Sequence, residues 1–522
     1  MEAPLHPPRR PTTPWAPLLG LAALWAVLPA LPALLSGQLL GHGWTDLYPA
    51  VWGLWASAAA WPAVPNETAL LGAPAGMPWV YSSPIHGWLA GPLLPVLGLR
   101  HSWNLLLLLA RGLTVLCAGW AAAGWGLRRS GALTLAVAFG CSPFFQGYAV
   151  EGIVEGTDGW PLALLLGALG RGRHALAALS LALCLLASWY LGAVGCALVG
   201  LLGLRRPGRW WAFLGLALAL PALLRFTQAF PAGAPLDPAV RAAMGAALTL
   251  PRPGALPGLQ PFAINTFVGL ALGGAALLGR GPGLGLAAVF GALSFGIGPW
   301  YALPGFAMLR FPYRWHAGAL LGLGLAAGRW ADQRRARRWL PALILAEGLL
   351  LSPIEPILPG ADPSDPLPCV LLDEAARATG PLPAGSLLVV PGPVGLPPGR
   401  PNPSRGRARA VLFAQTCHGR PSPWVPDFNS VGVAREAKLL EPFLAFDRVA
   451  RGRGGALPID LVRALADQDI RLIFLALDDP GLVEAPALEA GLQGQGARLL
   501  VERAAGGRRI AALYLLPEND LP

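Results

Sequence analysis

The chain has 522 residues, 54% hydrophobic and 13% charged, with a mean hydropathy of +0.52; this is more apolar surface than one soluble core can hide, which excludes a purely soluble protein. The formal charge of +11 would suit a nucleic-acid ligand, but residues 1–352 hold 22 arginines against nine acids, while 353–522 hold 17 basic residues against 19 acids. The excess therefore sits in the apolar part, in short breaks such as Arg128–Arg129, Arg205–Arg206 and Arg334–Arg335, the pattern of cytoplasmic loops and not of a nucleic-acid interface.

Apolar runs lie near 15–36, 103–127, 131–150, 159–170, 174–187, 189–204, 210–229, 261–279, 283–300, 312–328 and 339–352. They predict a multi-pass α-helical membrane domain over residues 1–352 with about 11 transmembrane helices, several of them short of the roughly 20 residues of a full span. Arg9 and Arg10 precede the first run, which is too long for a signal-peptide core and reads as an uncleaved helix. With the N-terminus inside, alternation puts the arginine-rich breaks in the cytoplasm. Loops 37–102, 230–260 and 301–311 then lie outside, together with everything after residue 352. A single lysine, Lys438, with 67 Gly and 55 Pro, suggests a GC-rich bacterial coding bias, so the expected location is a bacterial inner membrane with a periplasmic C-terminal domain.

The first external loop opens with GHGWTDLYPAVWGLWASAAAW. Tyr48, Trp52 and Trp55 share a face at i, i+4 and i+7 and predict a helix lying in the membrane interface. Asp46 stands just before it, either as a proton acceptor at the water–lipid boundary or as the N-cap of that helix.

The third run ends in CSPFFQGYAVEGIVEGTDGW. Glu151, Glu155 and Asp158 would share a face if helical, although Gly152, Gly156 and Gly159 favour a loop. Such carboxylates could hold a divalent cation, Mg²⁺ or Mn²⁺, or orient sugar hydroxyls; a solvated loop is the bland alternative. Arg225, in PALLRFTQAF, and Arg310 and Arg314, in MLRFPYRWH, are external cations at the depth of a lipid phosphate, which arginine binds through its planar fork; snorkelling to head groups competes with that reading. Arg111 and Glu347 fall inside apolar runs, where a charge is costly and needs a partner.

Residues 353–522 alternate helical and strand patterns: LLDEAARAT, SLLVVPG, VAREAKLLEPFLAF, PIDLVRALADQ, RLIFLAL, ARLLVERA and RIAALYLLP. They predict a soluble α/β or α+β domain. Six cysteines form no CxxC pair; four lie in apolar runs, and Cys369 and Cys417 could form a disulfide in an oxidising compartment. The histidines are scattered without helical pairing, and no phosphate-loop, dinucleotide-loop, HExxH or GxSxG pattern is present.

The order of these features resembles the C-type glycosyltransferase fold of bacterial integral membrane proteins, a superclass that includes protein O-mannosyltransferases, aminoarabinose transferases and oligosaccharyltransferase subunits. The likeness rests on the acid-opened first loop, on PIHGWLAGPLLPVLGLRHSWNLLLLLARGLTVLCAGWAAAGWGLRR and on LRFPYRWHAGALL; SWYLGAV and AQTCHGRPSPWV look like those of an uncharacterised branch. The resemblance implies transfer of a sugar from a polyprenyl-phosphate or diphosphate carrier to a glycan, lipid or protein acceptor outside the membrane. It implies Asp46 as catalytic base, with Glu151, Glu155, Asp158, Arg225, Arg310 and Arg314 as substrate-binding residues. Members of the class often carry two adjacent acids here, whereas Asp46 is followed by Leu47. Two other classes stay open: a transporter or flippase using Arg111 and Glu347 as pathway residues, and a non-catalytic envelope-assembly protein.

Overall fold

The computed structural model describes residues 13–43, 46–65, 67–73, 76–79, 81–204, 206–229, 267–279, 281–296, 312–333, 337–352, 354–362, 366–390, 412–423, 446, 448–452, 457–479 and 482–517. Arg310, loop 230–260 and most of the helix expected at 433–446 fall outside these residues.

In chain order come α1 (Trp15–Leu35), β1 (Leu39–Leu40), α2 (Leu47–Ala59), β2 (Glu67–Thr68), β3 (Met77–Pro78), α3 (Pro84–Gly124), α4 (Arg129–Glu151), α5 (Val154–Thr157), α6 (Gly159–Arg171), α7 (His174–Ala187), α8 (Trp189–Gly203) and α9 (Leu214–Ala229). They continue with α10 (Leu270–Gly279), α11 (Pro282–Ser294), α12 (His316–Asp332), α13 (Leu340–Leu351), β4 (Gly360–Ala361), α14 (Leu367–Thr379), β5 (Ser386–Val390), α15 (Leu461–Ala466), β6 (Ile470–Leu475), α16 (Ala485–Gly494), β7 (Arg498–Ala505) and β8 (Arg508–Leu515).

Every predicted apolar run coincides with a helix, and this is a membrane protein. Among the described residues, four helices are long and apolar enough to cross a bilayer: Trp15–Leu35, Pro84–Gly124, Arg129–Glu151 and Pro207–Arg225. The helix α3 begins well before the predicted 103–127, because Pro84 starts a segment that bends at Gly98 (φ +71°) after Pro92 and Pro95. Small residues let the helices approach closely. A β-carbon on Gly140 would come within 2.6 Å of the Val115 Cα, so α4 lies directly on α3.

Polar contacts divide between the two ends of the bundle. At one end Asp332 caps the start of α4, accepting from Arg128 N (2.5 Å) and Gly131 N (2.7 Å), and Arg171 donates to Trp120 O at 2.9 Å. At the other end β1 pairs antiparallel with β4, His42 N donates to Val150 O (2.8 Å), and Gln146 donates to the carbonyls of Glu355 and Pro356. The turns after α1, α4 and α13 thus meet on the side that carries the acids.

The charges inside the bundle find partners. Arg111 donates to Gln146 Oε1 (2.7 Å) and Trp25 O (2.9 Å) and lies over the Trp25 ring. Glu347 accepts from the backbone N–H groups of Leu270 and Ala271, neutralising the start of α10.

After residue 360 the chain builds a mixed four-stranded sheet, ordered β5-β6-β8-β7, with β5 and β6 parallel and the rest antiparallel. Strand alternation sends Leu387 and Val389 towards Leu371, Leu372 and Ala375 of α14, and Leu388 and Val390 towards Leu461, Leu465, Leu488 and Leu492 of α15 and α16. Helices therefore cover both faces, matching the intermixed helix and strand patterns of the sequence. Cys369 and Cys417 are joined in a disulfide.

The aromatic face of α2, expected in the membrane interface, packs in part against protein. Tyr48 packs against Phe413, the rings tilted with centroids 5.0 Å apart, and Trp52 is buried edge-on to Trp79 beside Leu71 and Leu412. Protein from far along the chain supplies an apolar cover that local periodicity does not reveal.

Candidate functional site

The site is assembled by two glycines that let backbone meet backbone. Gly41 takes φ +122° and Gly152, which ends α4, takes φ +68°, conformations that favour glycine. A β-carbon on Gly41 would come within 2.9 Å of the Gly152 Cα, and one on Gly152 within 2.8 Å of Leu47 Cδ1. Fully buried Leu47 therefore sits on the turn between Glu151 and Glu155, and carries its neighbour Asp46 with it.

Asp46 occupies the N-cap of α2 without bonding the helix through its side chain. Its charge acts instead on Glu155 and Tyr313. Glu155 stands on the single-turn helix α5. Burial raises its carboxyl above the ordinary value, and Asp46 raises it further; Arg314, the α5 backbone and a hydrogen bond from Ser82 pull it back. Glu151 adds a second negative charge beside Tyr313.

Arg314 supplies the opposing charge. It lies on the tight turn before α12, with its guanidinium 4.1 Å from the Tyr190 ring centroid and 5.7 Å from that of Tyr148, and it hydrogen-bonds Tyr313. Stacked rings hold a guanidinium in one orientation while leaving its N–H fork in plane for an anion. Asp46, Glu151, Glu155 and Arg314, drawn from three separate stretches of sequence, thus share one electrostatic neighbourhood.

Two expected residues take other contacts. Asp158 is fully buried, accepts from Trp160 Nε1 (3.1 Å) and lies 3.2 Å from His86 Nδ1, which also meets Ser83 Oγ at 2.6 Å. The chain breaks at Gly152 and again before Gly159, so the three acids do not lie on one continuous helix. Arg225 donates to Val64 O, tying α9 to the segment between α2 and β2. Tyr148, Tyr190 and Tyr313 were not singled out from sequence; only Tyr313, next to Arg314 in FPYRWH, carried a local signal.

Among the described residues no group of three His, Cys, Asp or Glu side chains is placed to hold a metal ion, and Arg314 brings positive charge to Glu155.

No protein-family model matches the chain, and no curated protein matches it by sequence. Solved structures do. Arabinofuranosyltransferase AftD from Mycobacteria superposes with a TM-score of 0.60 at 19% identity, over 97% of this chain and 40% of that one. The chain has the C-type glycosyltransferase fold. A mutant of the same mycobacterial protein gives 0.57 at 18% identity, over 98% of this chain and 42% of that one. An oligosaccharyltransferase from Archaeoglobus fulgidus, solved with Zn and sulfate, aligns over 97% of this chain and 74% of its own at 12% identity and a TM-score of 0.48, too distant to argue from. The C-type glycosyltransferase fold thus extends over almost all of this chain, which spans about two fifths of AftD's length.

Proposed function

We propose that this protein is a membrane glycosyltransferase that moves a sugar from a polyprenyl-phosphate or diphosphate carrier to an acceptor on the extracytoplasmic face of a bacterial inner membrane. The observation that carries the reading is the meeting of Asp46, Glu155 and Arg314 on a C-type glycosyltransferase fold. The domain division follows: 1–352 is the membrane-embedded catalytic part, with about 11 spans, and 353–522 an extracytoplasmic α/β part that guides the acceptor.

The chemistry is displacement at the anomeric carbon. Asp46 takes the proton of the acceptor hydroxyl or amine, the new glycosidic bond forms, and the bond from the anomeric carbon to the carrier oxygen breaks. The carrier leaves as an anion, whose charge Arg314 stabilises from its stacked position; Arg310 lies on the same segment and would add to it. Glu151 and Glu155 orient sugar hydroxyls while opposing one another and Asp46. Asp158 fixes the turn that carries Glu155, and Arg225 holds the first loop in place.

Arg111 and Glu347 already have partners within the bundle, which weakens the transport reading: both terminal nitrogens of Arg111 donate, to Gln146 and to Trp25 O, and both oxygens of Glu347 cap the start of α10. The test is to incubate the purified protein in nanodiscs with a panel of polyprenyl-phosphate sugars and acceptors and to measure freed carrier phosphate. Release with at least one donor supports the reading. Donor-independent movement of lipid across the membrane without release would favour a flippase.

A further inference from the structure

Residues 412–423 lie far along the sequence from the first external loop but are built into it. Gln415 Nε2 donates to Leu70 O (2.9 Å), Ser422 N to the same carbonyl (2.9 Å), and Ala73 N to Ser422 O (3.1 Å). Leu412 enters the cluster formed by Trp52 and Leu71, and Phe413 joins the one formed by Leu47, Val51 and Tyr81. The other end of the segment is covalently fixed, since Cys417 is bonded to Cys369 on α14.

The contact that matters is with Tyr48. Its ring packs, tilted, against Phe413 with centroids 5.0 Å apart, and its hydroxyl would lie 3.2 Å from a β-carbon on Gly43. Gly43 and Tyr48 bracket Asp46, three residues on one side and two on the other. Tyr48 thus touches both the backbone leading into Asp46 and a ring from residues 412–423.

We propose that residues 412–423 form a strap that positions Asp46, with Phe413 as a positioning residue acting through Tyr48 and the Cys369–Cys417 bond as the strap's anchor. The inference rests on the reading of Asp46 as the base. A strap of this kind sets the aim of the carboxylate towards the acceptor and leaves the donor site at Arg314 untouched. It acts on kcat and not on donor KM, since small misplacements of a reacting group cost rate steeply.

The experiment uses the full chain in nanodiscs and compares wild type, Phe413→Ala, Phe413→Tyr and Cys417→Ser. Two quantities are read: carrier-phosphate release, and hydrogen exchange of the amides in α2. Phe413→Ala is expected to lower kcat by roughly tenfold or more with donor KM within about twofold. Phe413→Tyr, which keeps the ring, should restore kcat to near wild type. Exchange over residues 47–54 should quicken in Phe413→Ala and Cys417→Ser and return to normal in Phe413→Tyr.

Unchanged exchange in Phe413→Ala overturns the strap, as does quickened exchange with wild-type kcat. Loss of donor binding in place of kcat assigns the segment a structural role only and also overturns it. Wild-type protein that releases no carrier, or an Asp46→Asn variant as active as wild type, would sink the functional reading itself. The exchange measurement then still decides whether the strap holds α2.

Discussion

Leu47 lies directly over the bare α-carbon of Gly152: a β-carbon added there would meet the Leu47 Cβ at 2.9 Å and its Cα at 3.0 Å. This contact brings the residue after Asp46 onto the turn between Glu151 and Glu155, so the candidate site depends on a residue with no side chain. Gly152→Ala puts a β-carbon into that space and also forces alanine into a left-handed conformation, at a cost of about 1–2 kcal/mol for the backbone alone. The variant should melt lower and lose carrier release. Adding Leu47→Ala should not recover the melting temperature, because the Leu47 Cβ and Cα that the new β-carbon meets both remain and a buried leucine is lost besides; a thermal scan of single and double variants checks this.

Arg314 owes its orientation to Tyr190, 4.1 Å below it. Arg314→Lys keeps the charge but loses the planar fork and the stack, so donor KM should rise roughly tenfold, about 1–2 kcal/mol. Tyr190→Leu should act in the same direction by less. Steady-state kinetics with varied donor checks both; an unchanged KM in Arg314→Lys would argue that the carrier phosphate binds elsewhere.

His418 gives the strap a pH dependence. Burial first and the Arg420 charge second push its pKa down from 6.5 to about 4, and its Nδ1 accepts from Arg420 N at 3.0 Å, which requires that nitrogen to be bare. Between those values the unfolded segment binds a proton that the folded one does not. The His418 contribution is therefore complete above about pH 6.5 and is lost as pH falls towards 4. Hydrogen exchange over 412–423, corrected for its intrinsic pH dependence, should quicken on acidification through this window in wild type and stay flat in His418→Gln.

Glu347 separates capping from transport. Because both of its oxygens accept backbone N–H groups at the start of α10, Glu347→Gln should cost about 0.5–2 kcal/mol of stability. It should leave carrier release per folded molecule unchanged. A specific loss of lipid movement at wild-type melting temperature would reopen the transport reading.

The helices were legible because lipid demands long apolar runs, and the sheet because its strands alternate or run apolar between turns. The site was legible only in part. Asp46 and the acids near 151–158 stood out as charges beside the membrane, and Arg314 as a cation at head-group depth. What placed them together was not visible, because Gly41, Gly152, Tyr148 and Tyr190 act through contacts between residues far apart in sequence. The same reason hid the protein cover on α2: its aromatic face has the period of an interfacial helix, and Phe413, some 360 positions later, packs on Tyr48 of that face. Arg111 and Glu347 looked functional because a charge in an apolar run is costly, and the structure meets that cost with an amide, a carbonyl and a helix start.

The central claim is that Asp46 accepts the acceptor's proton. The Asp46 side chain makes no capping bond to α2 and Asn is nearly isosteric with it, so Asp46→Asn keeps α2 intact and removes only the base. Carrier-phosphate release should then fall by roughly 100-fold or more, with donor KM and melting temperature held. Release at the wild-type rate in a folded, membrane-inserted Asp46→Asn protein would contradict the account.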